Sequence, residues 1–195
     1  IDIMGGDYAP KSTIAGSILA MQVVPDDTEI VFFGNKEQIS YAAEELKADI
    51  SAFPIFHTDQ QIEMGDHPLK SISQKPSASL FYGLQALRRG EIDGFCSAGN
   101  TGAMLVGAMQ IISAIPGVIR PAISAVLPNL ANENGTLLLD VGLNSDARPD
   151  VLYQYGIIGN LSRACFSRNS YRLEGYFRQS GRVDVSSLAS PFCRW

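Results

Sequence analysis

The sequence predicts an α/β fold with a largely parallel sheet and helices on both faces. Runs with helical periodicity alternate along the chain with short apolar, strand-like runs. Of the 195 residues, 46% are hydrophobic and 18% are charged, which is enough apolar material for one sizeable core. Three strand-like runs end in turns rich in Gly, Asp, Asn or Ser. Ligands bind at the carboxyl ends of strands in such sheets, so these turns are the candidate functional regions.

The first part of the chain predicts three strands and two helices. In order, these are a strand whose last residues are 1–3, a helix over 12–23, a strand over 29–34, a helix over 36–49 and a strand over 52–58. In the strand over 29–34, the run after Glu29 is continuously apolar and ends in Gly34, which is typical of a strand covered on both faces. Pro54 indicates that the third strand lies at an edge of the sheet, because proline cannot donate a ladder hydrogen bond.

The second part begins with a polar stretch of little periodicity, residues 59–75. The predicted elements that follow are a helix from Pro76 and Ser77 to its stop at Gly90, a strand over 92–98, a helix over 103–114, strands over 121–128 and 136–142, and a helix beginning near Pro149. The helix over 103–114 is apolar but would be roughly 20 Å long, against roughly 30 Å for a hydrocarbon core. It is therefore interpreted as a buried helix, not a membrane span.

Charge divides the chain into two parts. Up to Asn160 there are nine Lys plus Arg and eighteen Asp plus Glu, whereas from Leu161 onward there are six Arg, no Lys and two acids. The net charge is therefore −9 in the first part and +4 in the second, giving −5 overall. An acidic body argues against nucleic acid as a partner. The three cysteines lack disulfide or zinc spacing, and no signal-like segment opens the sequence, so a cytoplasmic setting is expected.

The domain prediction follows this division: residues 1–160 form the α/β domain and residues 161–195 a divergent Arg/Ser-rich tail. The tail shows no clean helix period and no strand-turn punctuation. Two interpretations of the tail stay open. It is either the product of a shifted reading frame or a genuine basic C-terminal extension, ordered or disordered.

The turn "SAGNTG", residues 97–102, connects a predicted strand to a predicted helix. Glycines at the start of a helix expose backbone N–H groups, and the helix dipole adds partial positive charge, so the turn suits phosphate. Asn100 and Thr101 offer additional side-chain hydrogen bonds. The alternative is a packing turn, in which the glycines only permit close approach. The glycine spacing is wrong for a nicotinamide site, and no acidic residue ends the next strand.

The stretch "MGDHPLKSISQKPSAS", residues 64–79, brings cations to one polar segment. Lys70 and Lys75 can hold an anion, and His67 can transfer protons near neutral pH. A solvated loop is the alternative for each residue taken singly. His57 follows an apolar run and is interpreted as a packed core histidine. Cys96 is interpreted as a small buried hydrophobic residue, because no base accompanies it.

Two further turns carry polar residues after apolar runs. "LLLDVGLNSD" places Asp140 and Asn144 just past a strand, and "DIMGGD" places Asp2 and Asp7 around a Gly5-Gly6 turn. Both are good turn sequences in themselves. Neither has the carboxylate spacing of a metal site, so no metal is proposed.

These segments, in this order, closely resemble the PlsX family of phosphate acyltransferases. The matching stretches are "DIMGGDYAP", "EMGDHPLKSISQKPSAS", "CSAGNTGAMLVGAM", "IPGVIRPAI" and "LLDVGLNSDARPDVLYQYG". They span about residues 2–159, after which family-like sequence stops. The first residues of the family's opening strand are also absent. The resemblance therefore covers only the N-terminal half of such a protein.

The resemblance implies a three-layer α/β/α Rossmann-like fold, related to isocitrate and isopropylmalate dehydrogenases and truncated in this chain. It implies an enzyme of phospholipid synthesis that transfers a fatty acyl group from acyl carrier protein to inorganic phosphate, without a metal or organic cofactor. It further implies a homodimer that associates peripherally with the inner face of the cell membrane, although the membrane-contacting element falls beyond the matched region.

The site expected from motif and resemblance together has three parts. Phosphate is assigned to the turn formed by Ser97, Gly99, Asn100, Thr101 and Gly102. Neutralisation and proton transfer are assigned to Lys70, Lys75 and His67. The catalytic assignment also includes Asn100, Asp140 and Asn144, and the cleft edge is assigned to Asp2, Gly5, Gly6 and Asp7. Two other functions stay open: an inactive fragment or non-catalytic phosphate- or nucleotide-binding module, and a redox enzyme of the related dehydrogenase fold.

Overall fold

A computed structural model describes residues 1–128, 135–142 and 146–166, with side chains up to residue 163. The chain divides into two compact units, Ile1–Ala114 and Ile115–Trp195, and each is considered by itself. Both units contain helices together with strands, as expected of an α/β protein. Within the described ranges, no helix combines the length and the apolar character needed to cross a bilayer.

Parallel backbone pairing organises the first unit. Strand β1, Phe32–Gly34, pairs in parallel with strand β2, Ile55–His57. On the other side of β1, Asp2 forms a parallel bridge with Phe33. The N–H of Asp2 donates to the carbonyl of Cys96 at 2.8 Å, so the residues before the SAGNTG turn lie next to residues 1–3. Residues 92–98 were predicted to form a strand, but they form no regular strand in the structure. The hydrogen bond from Asp2 to Cys96 is the pairing that this segment makes with residues 1–3.

Five α-helices belong to the first unit: α1, Lys11–Ala20; α2, Lys36–Leu46; α3, Pro68–Gln74; α4, Ser79–Arg89; and α5, Thr101–Gly107. A π-helical segment, Ala108–Ile112, continues α5. Asn35 caps the start of α2, because its Oδ1 accepts from the N–H of Gln38 at 3.0 Å. Helix α4 ends at Gly90, which adopts the left-handed φ of 70° that favours glycine. Helix α3 was not predicted, because its seven residues have little periodicity.

Two apolar clusters form the core of the first unit. One joins α1, α2 and β1, and its fully buried members are Ile3, Ile14, Phe32 and Ile39. The other joins α4 to α5 and the π-helical segment through Leu80, Phe81, Leu84, Ala103 and Ile111. Aromatic contacts around the fully buried Phe33 join β1, β2 and α4, with the Phe56 ring stacked at 5.2 Å and the Tyr82 ring edge-on at 5.7 Å.

The second unit pairs its strands in the opposite sense. Strand β3, Ser124–Leu127, is antiparallel to strand β4, Thr136–Leu139. The expectation of a largely parallel sheet is therefore wrong for this pair. Helix α6, Pro149–Phe166, begins where the sequence predicts and continues past the predicted domain boundary at Asn160. The prediction for the tail beyond this helix falls outside the described residues.

Candidate functional site

The two glycine turns of the first unit pack directly against each other. A Cβ placed on Gly5 would lie 2.7 Å from Ser97 Oγ and 2.9 Å from the backbone nitrogen of Gly99. Gly6 has a φ of +110°, and a Cβ there would lie 3.3 Å from that of Ala98. Only residues without side chains allow this approach. The structure therefore brings together the MGGD and SAGNTG turns, which are far apart in the sequence.

A buried carboxylate joins the two turns. Asp2 is 2% exposed, and one of its oxygens accepts a hydrogen bond from Ser97 Oγ at 2.7 Å. Its other oxygen lies 3.2 Å from the N–H of Met4, which donates to it. Ser97 Oγ in turn accepts from the N–H of Gly99 at 3.0 Å. These bonds offset the desolvation of Asp2 and fix the path of both turns.

Asn100 connects the SAGNTG turn to the loop of residues 63–67. Its Oδ1 caps α5 by accepting from the N–H of Ala103 at 3.0 Å. Its Nδ2 donates to the carbonyls of Met64 and Asp66, each at 3.0 Å, and lies 3.4 Å from the carbonyl of Glu63. The side chain therefore has protein partners at both of its polar atoms.

An ion pair joins this loop to the residue that follows α3. Lys75 Nζ, just after α3, donates to Asp66 Oδ2 at 2.6 Å, and the two side chains are 32% and 27% exposed. The N–H of Glu63 also donates to Asp66 Oδ2, at 2.8 Å. The Lys75 hydrogen bond, followed by the Glu63 bond, lowers the pKa of Asp66 below its usual range. The charge of Lys75 is thus balanced within the protein.

The far end of the polar stretch is tied to the end of β2. Thr58 Oγ1 donates to the carbonyl of Ser77. Gln60 accepts through its side chain from the N–H of Ser77 at 3.0 Å and through its carbonyl from the N–H of Ser79 at 3.1 Å. The polar stretch is consequently anchored near both ends.

Two helix N-termini meet beside Asn100. A Cβ on Gly102, at the start of α5, would lie 2.5 Å from the ring of Pro68, at the start of α3. In the described part of the chain, the N–H groups of Leu69, Thr101 and Gly102 have no hydrogen-bond acceptor. First-turn N–H groups are donors that a helix leaves unpaired, and the helix dipole makes them attractive to anions.

Two candidate groups of the polar stretch remain available to solvent. His67 precedes α3 and is exposed, and it makes no side-chain capping bond to that helix. Lys70 is exposed on α3 and makes no ion pair with any residue that the structure describes. Thr101 is also exposed. These residues, with the neighbouring N–H groups, are the part of the predicted site that is free to bind a ligand.

The remaining predicted site residues are Asp7 in the first unit, Asp140 in the second unit, and Asn144. Asp7 is exposed at the end of the MGGD turn. Asp140 follows β4 in the second unit with a φ of 62°, and its N–H donates to the carbonyl of Ile123 at 2.7 Å. Asn144 falls outside the described residues. No cluster of three or more His, Cys, Asp and Glu side chains suited to a metal ion occurs within the described ranges.

Two sequence interpretations are corrected. His57 is not a core residue: it is exposed, its Nδ1 accepts from the N–H of Lys36 at 3.1 Å, and its Nε2 lies 3.2 Å from Asp59 Oδ1. It lies at the very end of an edge strand, where the apolar neighbours in sequence no longer surround it. Cys96 is exposed, not buried.

Sequence reasoning missed one structural contact of the site. The contact of Pro68 with Gly102 places the two helix N-termini together. The spacing of these residues in the sequence did not predict this contact. A proline at the first helical position after His67 was the available signal for α3.

Comparison with known proteins identifies the class to which this α/β chain belongs. A family model described as "Fatty acid synthesis protein" matches residues 1–172. The chain belongs to this family, which confirms the resemblance to the PlsX phosphate acyltransferases.

Individual relatives support the same family membership. The chain is similar to "Phosphate acyltransferase" of Leuconostoc mesenteroides, with 41% identity over 161 residues, covering 82% of this chain and 46% of the relative. It is 39% identical over 160 residues to the protein of the same name from Halalkalibacterium halodurans, again covering 82% and 46%. For the Latilactobacillus sakei protein the identity is 38%, with the same coverage. The chain thus spans about half the length of the curated relatives it matches.

Proposed function

We propose that this chain carries the phosphate-binding part of an acyltransferase, which transfers a fatty acyl group from acyl carrier protein to inorganic phosphate. The product, an acyl phosphate, is a precursor for phospholipid synthesis. Family membership and the name of the relatives, phosphate acyltransferase, support the reaction. The observation that carries the proposal is the meeting of two helix N-termini at Pro68 and Gly102, beside the exposed Lys70.

Phosphate is proposed to accept hydrogen bonds from the N–H groups of Leu69, Thr101 and Gly102. A charged oxygen with several charge-assisted bonds is bound much more strongly than by any single neutral donor. Lys70 supplies the positive charge that Lys75 cannot, because Lys75 is already paired with Asp66. His67 hydrogen-bonds to phosphate or moves a proton to or from it.

The chemistry requires phosphate and the thioester to be held side by side. A phosphate oxygen attacks the thioester carbonyl carbon, the new carbon–oxygen bond forms, and the carbon–sulfur bond breaks to release the thiol carrier. The tetrahedral intermediate carries a negative oxygen that needs donors. Holding the two reactants in place lowers the entropic part of the barrier. Thr101 and Lys70 are proposed to serve both the bound phosphate and this oxyanion.

The remaining assignments rest on the family resemblance. The fold is proposed to be Rossmann-like, of the isocitrate dehydrogenase type, and the parallel pairing of residues 1–3, β1 and β2 supports this. Asp140 and Asn144 are proposed to orient the reacting groups. A homodimer and peripheral attachment to the inner face of the cell membrane are proposed for the longer proteins of the family.

A direct assay tests the proposal. The chain is incubated with long-chain acyl carrier protein and inorganic phosphate, and acyl phosphate is measured. Lys70→Ala should lower the rate about 100-fold if Lys70 meets the oxyanion. Lys36→Ala is the control, since Lys36 is also exposed but lies at the start of α2. An equal rate for both variants would refute the role of Lys70. Phosphate binding without turnover would instead indicate the non-catalytic module.

A further inference from the structure

We propose that Asn100 is a positioning residue of the phosphate site and does not contact phosphate itself. Its amide holds the loop of residues 63–67 against the start of α5, and this sets the position of His67 and Lys70. The inference rests on the proposed phosphate site, and it reassigns a residue that the sequence motif placed among the phosphate ligands.

The hydrogen bonds of Asn100 leave no free donor for a ligand. An amide nitrogen has two hydrogens, and three carbonyl oxygens of residues 63, 64 and 66 lie within 3.0–3.4 Å of it. The amide oxygen already accepts from the N–H of Ala103. Asn100 is 8% exposed, so its side chain is enclosed by these partners.

The position of the contacts gives Asn100 control over α3. Its last carbonyl partner, Asp66, directly precedes His67, the residue before the start of α3. The Asp66 side chain reaches across the helix to Lys75 at its other end. Moving the loop therefore moves both ends of the short helix that carries Lys70. A seven-residue helix has too few internal hydrogen bonds to hold its position alone.

The variant Asn100→Asp separates the two roles of the side chain. A carboxylate still accepts from the N–H of Ala103 and is favoured at a helix N-terminus. In place of the donating amide, it would direct a charged acceptor at the three carbonyls, which repels the loop. Asn100→Ser removes the amide donor that reaches the loop, adds no charge and retains a capping oxygen. If the aspartate variant does not fold, the serine variant gives the same test.

Asn35 provides a matched control. It caps α2 through Oδ1 as Asn100 caps α5, and its Nδ2 donates to Asp59 at 3.2 Å on the surface. Asn35→Asp therefore makes the same chemical change at a helix cap that does not hold the 63–67 loop.

The first measurement is amide hydrogen exchange on the full chain. In Asn100→Asp, the N–H groups of Glu63 and Asp66 should exchange about tenfold faster, because the bonds they make within the loop open more often. The N–H of Ala103 should keep its protection. Asn35→Asp should leave the loop unchanged. Unaltered protection of the loop in both Asn100 variants would overturn the proposal.

The second measurement is calorimetric binding of inorganic phosphate. Asn100→Asp should weaken binding about tenfold. Lys70→Ala should weaken binding in the unmodified chain but have little further effect in the Asn100→Asp chain, because Asn100 acts through Lys70. Additive effects of the two substitutions would overturn the positioning role, as would weakened binding with the loop still protected. Failure of the unmodified chain to bind phosphate would refute the proposed function, while the exchange measurement would still decide whether Asn100 holds the loop.

Discussion

Replacing Gly5 with alanine should destabilise the first unit strongly, although it adds only one methyl group. The added Cβ would lie 2.7 Å from both Asp2 Oδ2 and Ser97 Oγ and 2.9 Å from the nitrogen of Gly99. Two of these atoms form the hydrogen bond that satisfies the buried carboxylate of Asp2. Asp2 and Ser97 cannot keep this hydrogen bond and also make room for the methyl group, so one of the two turns must move.

The magnitude follows from two terms. Overpacking of this kind costs about 1–3 kcal/mol, and weakening a hydrogen bond to a charged buried group costs about 1.5–3 kcal/mol. A combined loss of about 3 kcal/mol lowers the melting temperature of a chain of this size by roughly 6–12 °C. Thermal unfolding followed by far-ultraviolet circular dichroism measures it.

Gly16→Ala is the control for this substitution. Gly16 lies inside α1, and a Cβ there meets nothing within 4 Å. Alanine is favoured over glycine in a helix by about 1 kcal/mol, so this variant should melt roughly 2–4 °C higher. The reasoning about the two turns fails if Gly5→Ala melts within about 2 °C of the unmodified chain.

Two further predictions concern pH. Asp66 has its pKa lowered by Lys75, so the pair contributes stability above the ordinary value of 3.8, and this contribution is lost as the pH falls through the lowered pKa. Lys75→Met should lower the free energy of unfolding by about 1 kcal/mol near neutral pH and leave it unchanged in acid. Urea unfolding at both pH values measures this, and an equal loss at both would contradict the prediction. For Tyr155, burial, assisted by Asp140, raises the pKa above 10.0, so its contribution to stability is present below that value and lost as the pH rises through the raised pKa. Ultraviolet titration should show a late-ionising tyrosine that Tyr155→Phe removes; an unchanged curve would refute it.

The elements that the sequence predicted well are those with local signals. Helices α2 and α4 have amphipathic patterns and clear ends, and the predicted stop of α4 at Gly90 is found in the structure. Helix α3 lacked such a signal, since Ser71 is its only buried residue. Its contacts include those with the loop of residues 63–67, which Asn100 and Lys75 bind through Asp66. Tertiary contacts of this kind leave no periodicity in the sequence.

Errors about burial have a different origin. His57 and Cys96 each stand in an apolar stretch, and local composition suggested that both are buried. Both are exposed in the structure. Burial of a residue in a strand depends on which elements cover that point of the sheet, which sequence neighbours do not determine. The antiparallel pairing of β3 with β4 was likewise beyond local patterns, because strand direction depends on the path of the connecting chain.

The site illustrates why a sequence motif does not by itself assign roles to its residues. Lys70 and Lys75 are equivalent as sequence, since both are cations in one polar stretch. The structure distinguishes them, because Lys75 is paired with Asp66 and Lys70 makes no such pair within the described residues. Asn100 and Thr101 differ in the same way, one enclosed by backbone carbonyls and the other exposed. A motif of this length must both build the loop and bind the ligand. Residues that build the loop should respond to substitution in stability, loop exchange and phosphate affinity, whereas residues that bind the ligand should respond in phosphate affinity alone.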